Sequence, residues 1–171
     1  MAEHLLRRRL EDAGVDARVA SAGLLRAGLP AQAHGVDVAR GLGLDMSAHR
    51  SRSMTRDVLA EAELIVGMAR EHVREAVVLD PTLWLRTFTL KELVRRGEAA
   101  GPRVAGEPLA AWLARVGPGR RVSDLAGASN ADDGEDPLGM PRDAYERMAR
   151  ELEDLTRRLV AVAFAGALTP R

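Results

Sequence analysis

The residues best suited to chemistry form an acidic turn in the last quarter of the chain. The turn runs Asp132-Asp133-Gly134-Glu135-Asp136-Pro137-Leu138-Gly139. Because proline disfavours helical geometry in the residue before it, Pro137 holds Asp136 on an exposed loop. One interpretation is structural, since Asp before Pro is ordinary turn chemistry. The other is a general acid that a stiff loop presents to a leaving group.

Nucleophiles and metal ligands are sparse in this sequence. It contains no cysteine, which excludes disulfides, thiolate metal sites and any reaction that needs a thiolate from these residues. The four histidines are too scattered to indicate a metal site, and we predict neither a metal nor a cofactor. They are His4, His34, His49 and His72. The run Arg7–Arg9 is interpreted as the solvated face of a helix.

The charge balance argues against two classes of partner. Lysine plus arginine equals aspartate plus glutamate, at 25 each, so no net field attracts nucleic acid or anionic lipid. We therefore predict that the chain binds neither nucleic acid nor a membrane. Charged residues start at Glu3 and Arg7, where a signal peptide would be apolar. The cytoplasm is the expected location.

Strands alternate with helices along a single domain of residues 1–171, which predicts an α/β fold with a small parallel sheet flanked by helices. Between residues 97 and 134 the chain is rich in Gly, Pro, Ala and Arg, and we predict a surface insertion there. The expected helices cover residues 2–13, 30–42, 55–62, 69–79, 91–96, 109–116 and 142–162, and the expected strands cover 15–22, 64–66 and 86–90. The residues from 161 onward are expected to be a frayed tail.

Five segments, taken in order, resemble the low-molecular-weight protein tyrosine phosphatase family of the bacterial type. The resemblance covers nearly the whole chain. The segments are Met1-Ala2-Glu3-His4-Leu5-Leu6, Ser21-Ala22-Gly23, Gly43-Leu44-Asp45-Met46-Ser47-Ala48-His49-Arg50-Ser51-Arg52, Ala62-Glu63-Leu64-Ile65-Val66-Gly67-Met68 with His72, and Asp136-Pro137-Leu138-Gly139 with Tyr145.

The resemblance implies hydrolysis of phosphomonoesters. In that family a thiolate forms a cysteinyl phosphate, and the Asp of the Asp-Pro loop protonates the departing phenolate. Asp136 is the residue that this implies as general acid; Asp132 or Asp133 could take its place, but neither precedes proline. Leu138 stands where many relatives have an aromatic residue. The implied substrate is a phosphotyrosine protein or a small phosphomonoester.

The family's first strand and its cysteine-containing phosphate loop have no counterpart here. The resemblance implies a flavodoxin-like, three-layer fold in which that strand is central, so the sheet should lack its centre. We expect the chain as given to be inactive and to be an N-terminally truncated product that starts at an internal methionine. The alternative is a non-catalytic relative that binds a partner or self-associates through the exposed sheet edge. Arsenate reduction is a third option, disfavoured because a resolving thiol is absent.

Overall fold

A computed structural model describes residues 1–126 and 131–164. The α-helices are α1 (Ala2–Asp12), α2 (Ala33–Gly41), α3 (Arg56–Ala60), α4 (Arg70–Leu79), α5 (Leu90–Ala100), α6 (Leu109–Val116) and α7 (Arg142–Ala163), and the strands are β1 (Ile65–Gly67) and β2 (Thr87–Thr89). Two 3-10 turns cover Pro81–Arg86 and Val122–Ala126. None of these helices is long and apolar enough to cross a membrane.

The two strands form a parallel sheet with apolar side chains on both faces. Ile65 pairs with Thr87, and Val66 pairs with Phe88. Because successive side chains in a strand point to opposite faces, Val66 packs against the main core while Ile65 packs against a second cluster that contains Leu59. The sheet is therefore the middle one of three layers, which confirms the predicted α/β class.

The long C-terminal helix α7 organises one of the two outer layers. Its apolar residues recur every three or four positions, which predicts a helix with one buried face. Tyr145, Leu152 and Leu159 on that face are buried, and α7 packs against α1, α2 and α5. Helix α4 lies against β1 and β2. The helix extends to Ala163, so the prediction that the tail begins at residue 161 is wrong by three residues, and residues 165–171 lie outside the described part.

The segment 15–22 was expected to be a strand, and this prediction is wrong. The segment forms no ladder among the described residues, and the neighbouring Gly23 makes only an isolated parallel bridge with Ser53. A strand requires a partner for its backbone groups, and no described segment supplies one. The sheet is also open beside β1, where Ile65 and Val66 are only half-buried, whereas β2 is buried throughout. Among residues 1–126 and 131–164 no strand pairs with this edge of β1, as expected from the resemblance.

The segment 97–134 contributes to the core where it is described. Trp112 of α6 is fully buried, and its indole nitrogen donates to the Gly101 carbonyl at 3.0 Å. The predicted helix at residues 109–116 is confirmed. Its buried Trp112 packs with the same core as Leu159 of α7. That the segment is an insertion stays a prediction, and residues 127–130 lie outside the described part.

Candidate active-site cleft

A cleft of about 340 Å³ lies where the start of α1, the end of β1 and the acidic turn meet. Ligands of open parallel α/β sheets bind at the carboxyl ends of the strands, and Met68 directly after β1 is part of the wall. The polar side chains that line the cleft are those of Glu3, Ser21, Gln32, His49, Glu135, Asp136, Tyr145 and Glu151. The structure therefore brings residues from all five family-like segments, including the Asp-Pro turn, to one place.

The acidic turn is fixed to the end of β1 and the start of α4. The Gly134 amide donates to the Met68 carbonyl at 2.7 Å. The Asp133 carboxylate accepts from the Arg70 amide at 2.7 Å and from its guanidinium at 3.3 Å. Because the first amides of a helix lack partners within the helix, Asp133 supplies an acceptor that α4 needs. Partial burial raises the pKa of Asp133, but these hydrogen bonds outweigh it and lower the pKa below its ordinary value.

The other carboxylates of the turn differ in their partners. Asp132 pairs with Arg95 at 3.0 Å, and Glu135 pairs with Arg147 at 2.8 Å. Asp136 accepts a hydrogen bond from the Leu138 amide at 3.0 Å and forms no ion pair within residues 1–126 and 131–164. Asp136 is exposed, whereas Pro137 beside it is buried. The proline thus anchors the turn and leaves the Asp136 carboxylate on the cleft side.

Tyr145 joins the start of α7 to α2 beside the cleft. Its ring lies edge-on to that of His34, with the ring centres 5.7 Å apart. A Cβ atom built on Gly35 would lie 3.5 Å from the Tyr145 ring, which is ordinary contact distance. Tyr145 is buried and lines the cleft. The ring therefore forms a buried part of the cleft wall.

Glu3 connects α1 to the extended segment on the other side of the cleft. Its carboxylate accepts from the Ser21 hydroxyl and the Arg7 guanidinium, and Arg7 also donates to the Val19 carbonyl at 2.9 Å. Burial raises the pKa of Glu3, but the two hydrogen bonds lower it more. Arg7 and Arg8 are half-buried, and Arg8 donates to the Leu42 carbonyl at 2.7 Å. All three arginines of the run are half-buried, so the predicted solvated face is only partly exposed.

The remaining histidines have separate local roles. His4 and His49 face each other edge-on, with ring centres 6.0 Å apart. Burial lowers the pKa of His4, and the positive charge of the amino terminus adds to this. The His72 Nδ1 atom accepts from the Ala69 amide at 3.2 Å at the start of α4. In the described part of the chain, no group of three His, Asp or Glu residues could hold a metal ion.

The wall of the cleft lacks a cationic side chain. None of the described residues that line it is arginine or lysine. A phosphate dianion needs several donors or positive charges to replace its hydration. The described part of the cleft can therefore present a proton donor but does not provide a phosphate site.

Residues 1–102 match the sequence model of the family described as low molecular weight phosphotyrosine protein phosphatase. The chain belongs to this family. The acidic turn and α7 lie beyond the matched residues. The chain is 30% identical over 101 residues to the low molecular weight protein-tyrosine-phosphatase Etp of Escherichia coli K12. This alignment covers 58% of this chain and 66% of that relative. The aligned region thus spans slightly less than two thirds of the relative.

Solved structures of the family extend the likeness to nearly the whole chain. The low molecular weight protein tyrosine phosphatase from T. tengcongensis is 28% identical, with a TM-score of 0.68 over 94% of this chain and 87% of that protein. The YwlE arginine phosphatase from Geobacillus stearothermophilus is 25% identical, with a TM-score of 0.66 over 94% of this chain and 80% of that protein.

Proposed function

We propose that this chain carries the general acid of a phosphomonoester hydrolase and that Asp136 is that acid. The main support for this proposal is a difference between two neighbouring carboxylates. Glu135 and Asp136 both line the cleft, but Glu135 is paired with Arg147, whereas Asp136 has no basic partner among the described residues. A carboxyl group with no arginine bound to it is free to contact the oxygen of a leaving group. Asp132 and Asp133, the rival candidates, are each bound to an arginine.

The nucleophile must come from outside these residues. A cysteinyl-phosphate reaction needs a thiolate, and the sequence has no cysteine. We propose that the 171-residue chain is inactive as given and is a truncated form of a protein that supplies a strand and phosphate loop upstream. The open edge of β1 supports this, because among the described residues β1 pairs only with β2 and its other edge is available to a further parallel strand.

Two contacts relate the extended segment before Gly23 to the segment that contains β1. Arg18, within the extended segment, forms an ion pair with Glu61, which lies shortly before β1, and farther along each segment Ser21 and Met68 line the same cleft. The two segments therefore run in the same direction. A strand laid between them would end at the cleft, where a following loop would meet Asp136.

The proposed substrate is a phosphotyrosine protein or a small phosphomonoester. The similar proteins include tyrosine phosphatases and arginine phosphatases. Either leaving group requires a proton when the bond to phosphorus breaks, and Asp136 would supply it. The cytoplasmic location and the absence of nucleic acid among the ligands stay predictions.

The second candidate function is that of a non-catalytic relative. The half-buried Ile65 and Val66 favour it, because an unpaired strand edge is a template for pairing with another chain. Such a protein would bind a partner or self-associate through β1. It would be a stable, cooperatively unfolding oligomer that does not hydrolyse p-nitrophenyl phosphate, and an aggregated or unfolded chain would count against it.

Two experiments test the principal proposal. The DNA upstream of the Met1 codon should encode a strand and a cysteine-containing loop in frame, and a stop codon before any such sequence would exclude the truncation. In the extended protein, Asp136→Asn should abolish most turnover of phenyl phosphate while the phosphoenzyme still forms from p-nitrophenyl phosphate. Asp132→Asn is the matched control and should retain turnover. An Asp136→Asn variant as fast as the parent would exclude Asp136 as the acid.

A further inference from the structure

Two loops beside the cleft are hydrogen-bonded into one surface, which we call the platform: residues 21–32 and 47–54. The Gly23 amide donates to the Arg52 carbonyl at 2.9 Å, and the Met54 amide donates back to the Gly23 carbonyl at 2.8 Å. Bonds of this kind hold the two loops in a fixed relation without a regular strand. The platform is thus one structural unit.

The platform is cationic although the chain as a whole has no net charge. Neither loop contains Asp or Glu, and together they carry three arginines. Within the described part of the chain, Arg26 and Arg52 form neither an ion pair nor a side-chain hydrogen bond. Arg50 donates only to carbonyls of its own loop, those of Ser47 and His49. The charges of these arginines are therefore available to a partner.

These arginines stand out because most others are neutralised. Arg18 and Arg56, which flank the platform, pair with Glu61 and Asp80. An unneutralised cationic surface attracts acidic groups and raises the rate of encounter with them. The local charge thus favours an acidic partner.

The platform also exposes apolar side chains. Leu24, Leu25 and Leu29 are 41%, 67% and 47% exposed. Covering exposed leucine side chains with a partner is favourable, because it removes apolar surface from water. A nucleic acid would leave these leucines without a suitable contact, and the platform has no Phe, Tyr or Trp on which bases could stack. A polypeptide with both acidic and apolar side chains complements the platform better.

The platform adjoins the cleft. Ser21, Gln32 and His49 belong to it and line the cleft, whose wall also includes Glu135 and Asp136 of the acidic turn. A bound polypeptide would therefore meet a positive surface on the platform and a negative one at the turn. Its acidic residues are expected to lie over the platform.

We propose that the platform binds an acidic, leucine-containing segment of a substrate protein next to the phosphorylated side chain. The proposal rests on the proposed function, because that function places the phosphorylated side chain in the cleft. Arg26, Arg50 and Arg52 attract the acidic residues, and Leu25 contacts the apolar ones.

Fluorescence anisotropy of labelled synthetic peptides tests this with the 171-residue chain itself. The probe is an unphosphorylated peptide of alternating Glu and Leu, and the comparison peptide has Lys in place of every Glu. The triple variant Arg26→Gln, Arg50→Gln and Arg52→Gln should bind the acidic probe about tenfold more weakly, since three exposed ion pairs are lost. The control variant Arg121→Gln, Arg150→Gln and Arg157→Gln loses the same charge elsewhere and should bind within about twofold of the parent.

A second variant separates the apolar contribution from the charge. Leu25→Ser should weaken binding of the acidic probe at high as well as low salt, whereas the arginine variant should differ from the parent mainly at low salt. Equal binding of both peptides by the parent, or an equal loss in the two triple variants, would overturn the proposal. So would tighter binding to duplex DNA or to phosphatidylserine vesicles than to the acidic peptide.

The assay does not depend on turnover. Failure of the peptide to bind would leave Asp136 as the proposed acid. Conversely, an Asp136→Asn enzyme with full activity would leave the platform's peptide binding unaffected.

Discussion

The Asp133 carboxylate accepts a hydrogen bond from the Arg70 backbone amide at 2.7 Å, although the two residues are 63 positions apart in the sequence. It also holds the Arg70 guanidinium at 3.3 Å. Since Arg70 is the first residue of α4 and Asp133 stands three residues before Asp136, one contact joins the helix to the turn that carries the proposed acid.

Removing this contact should destabilise the protein. Asp133→Ala leaves the first amide of α4 without its acceptor and Arg70 without its carboxylate. Loss of such an interaction at a helix start costs about 1 to 2 kcal/mol. Urea unfolding measures the change in the free energy of unfolding. A change near zero would show that the hydrogen bond does not stabilise the turn.

The same carboxylate predicts a pH dependence. Its pKa is lower in the folded protein than in the unfolded chain, so its stabilisation is complete above the unfolded value of about 3.9 and is lost as the pH falls through the folded value. Between neutral pH and about pH 3, Asp133→Asn should therefore lose less stability than the parent, because asparagine does not titrate. Unfolding at both pH values tests this, and an equal loss in both proteins would contradict it.

Arg120 should contribute strongly to stability. Its side chain is only 2% exposed, and its guanidinium pairs with Glu92 at 2.8 Å and lies 3.9 and 3.7 Å from the ring centres of Trp84 and Phe88. Breaking a buried ion pair costs about 3 to 5 kcal/mol. We expect the lower end, about 3 kcal/mol, for Arg120→Ala, because Arg96 still pairs with Glu92 at 3.0 Å.

A neighbouring arginine provides the control for this measurement. Arg121 is 77% exposed and pairs only with the nearby Asp124 in the described structure. Arg121→Ala should change the free energy of unfolding by less than about 0.5 kcal/mol. The loss of stability in Arg120→Lys should lie between those of the two alanine variants, because lysine keeps the charge but lacks the planar group that stacks on the rings. Equal effects of the two alanine variants would contradict the assigned role of Arg120.

Gly97 in α5 should not tolerate a side chain. A Cβ atom there would lie 2.9 Å from Trp112 Cζ2 and 3.1 Å from Val162 Cγ2. Gly97→Ala should therefore cost about 1 to 3 kcal/mol in spite of the better helix propensity of alanine. At Gly41 in α2 a Cβ meets no described atom within 4 Å, so Gly41→Ala should stabilise the protein slightly. In thermal unfolding, Gly97→Ala should lower the melting temperature and Gly41→Ala should raise it slightly. Shifts in the same direction would contradict this packing.

The helices and the two strands could be predicted from sequence because their signals are local. Leu152, Leu155 and Leu159 recur at helical spacing, and Thr89 caps the amino end of α5 through the Glu92 amide. Helix α5 continues to Ala100, beyond the predicted residue 96, because its apolar face is covered by α6 and α7.

Features that depend on distant parts of the chain were missed. The extended segment before Gly23 has strand-like residues, but a strand forms only where a neighbour completes its hydrogen bonds. The contact of Asp133 with Arg70 and the burial of Arg120 between two rings leave no spacing signal in the sequence. Asp136 could be nominated because Pro137 gives it a local signature, but its lack of a basic partner in the described structure appears only once the chain is folded.

The dependence of kcat/KM on the leaving group tests the central claim most directly. In the upstream-extended protein, a series of aryl phosphates with phenols of increasing pKa should react at similar rates, because Asp136 protonates the departing oxygen. In Asp136→Asn the rate should fall steeply along the series, with a loss of about 100-fold or more for phenyl phosphate and little loss for p-nitrophenyl phosphate. Parallel dependences in the two proteins would contradict the assignment of Asp136 as general acid.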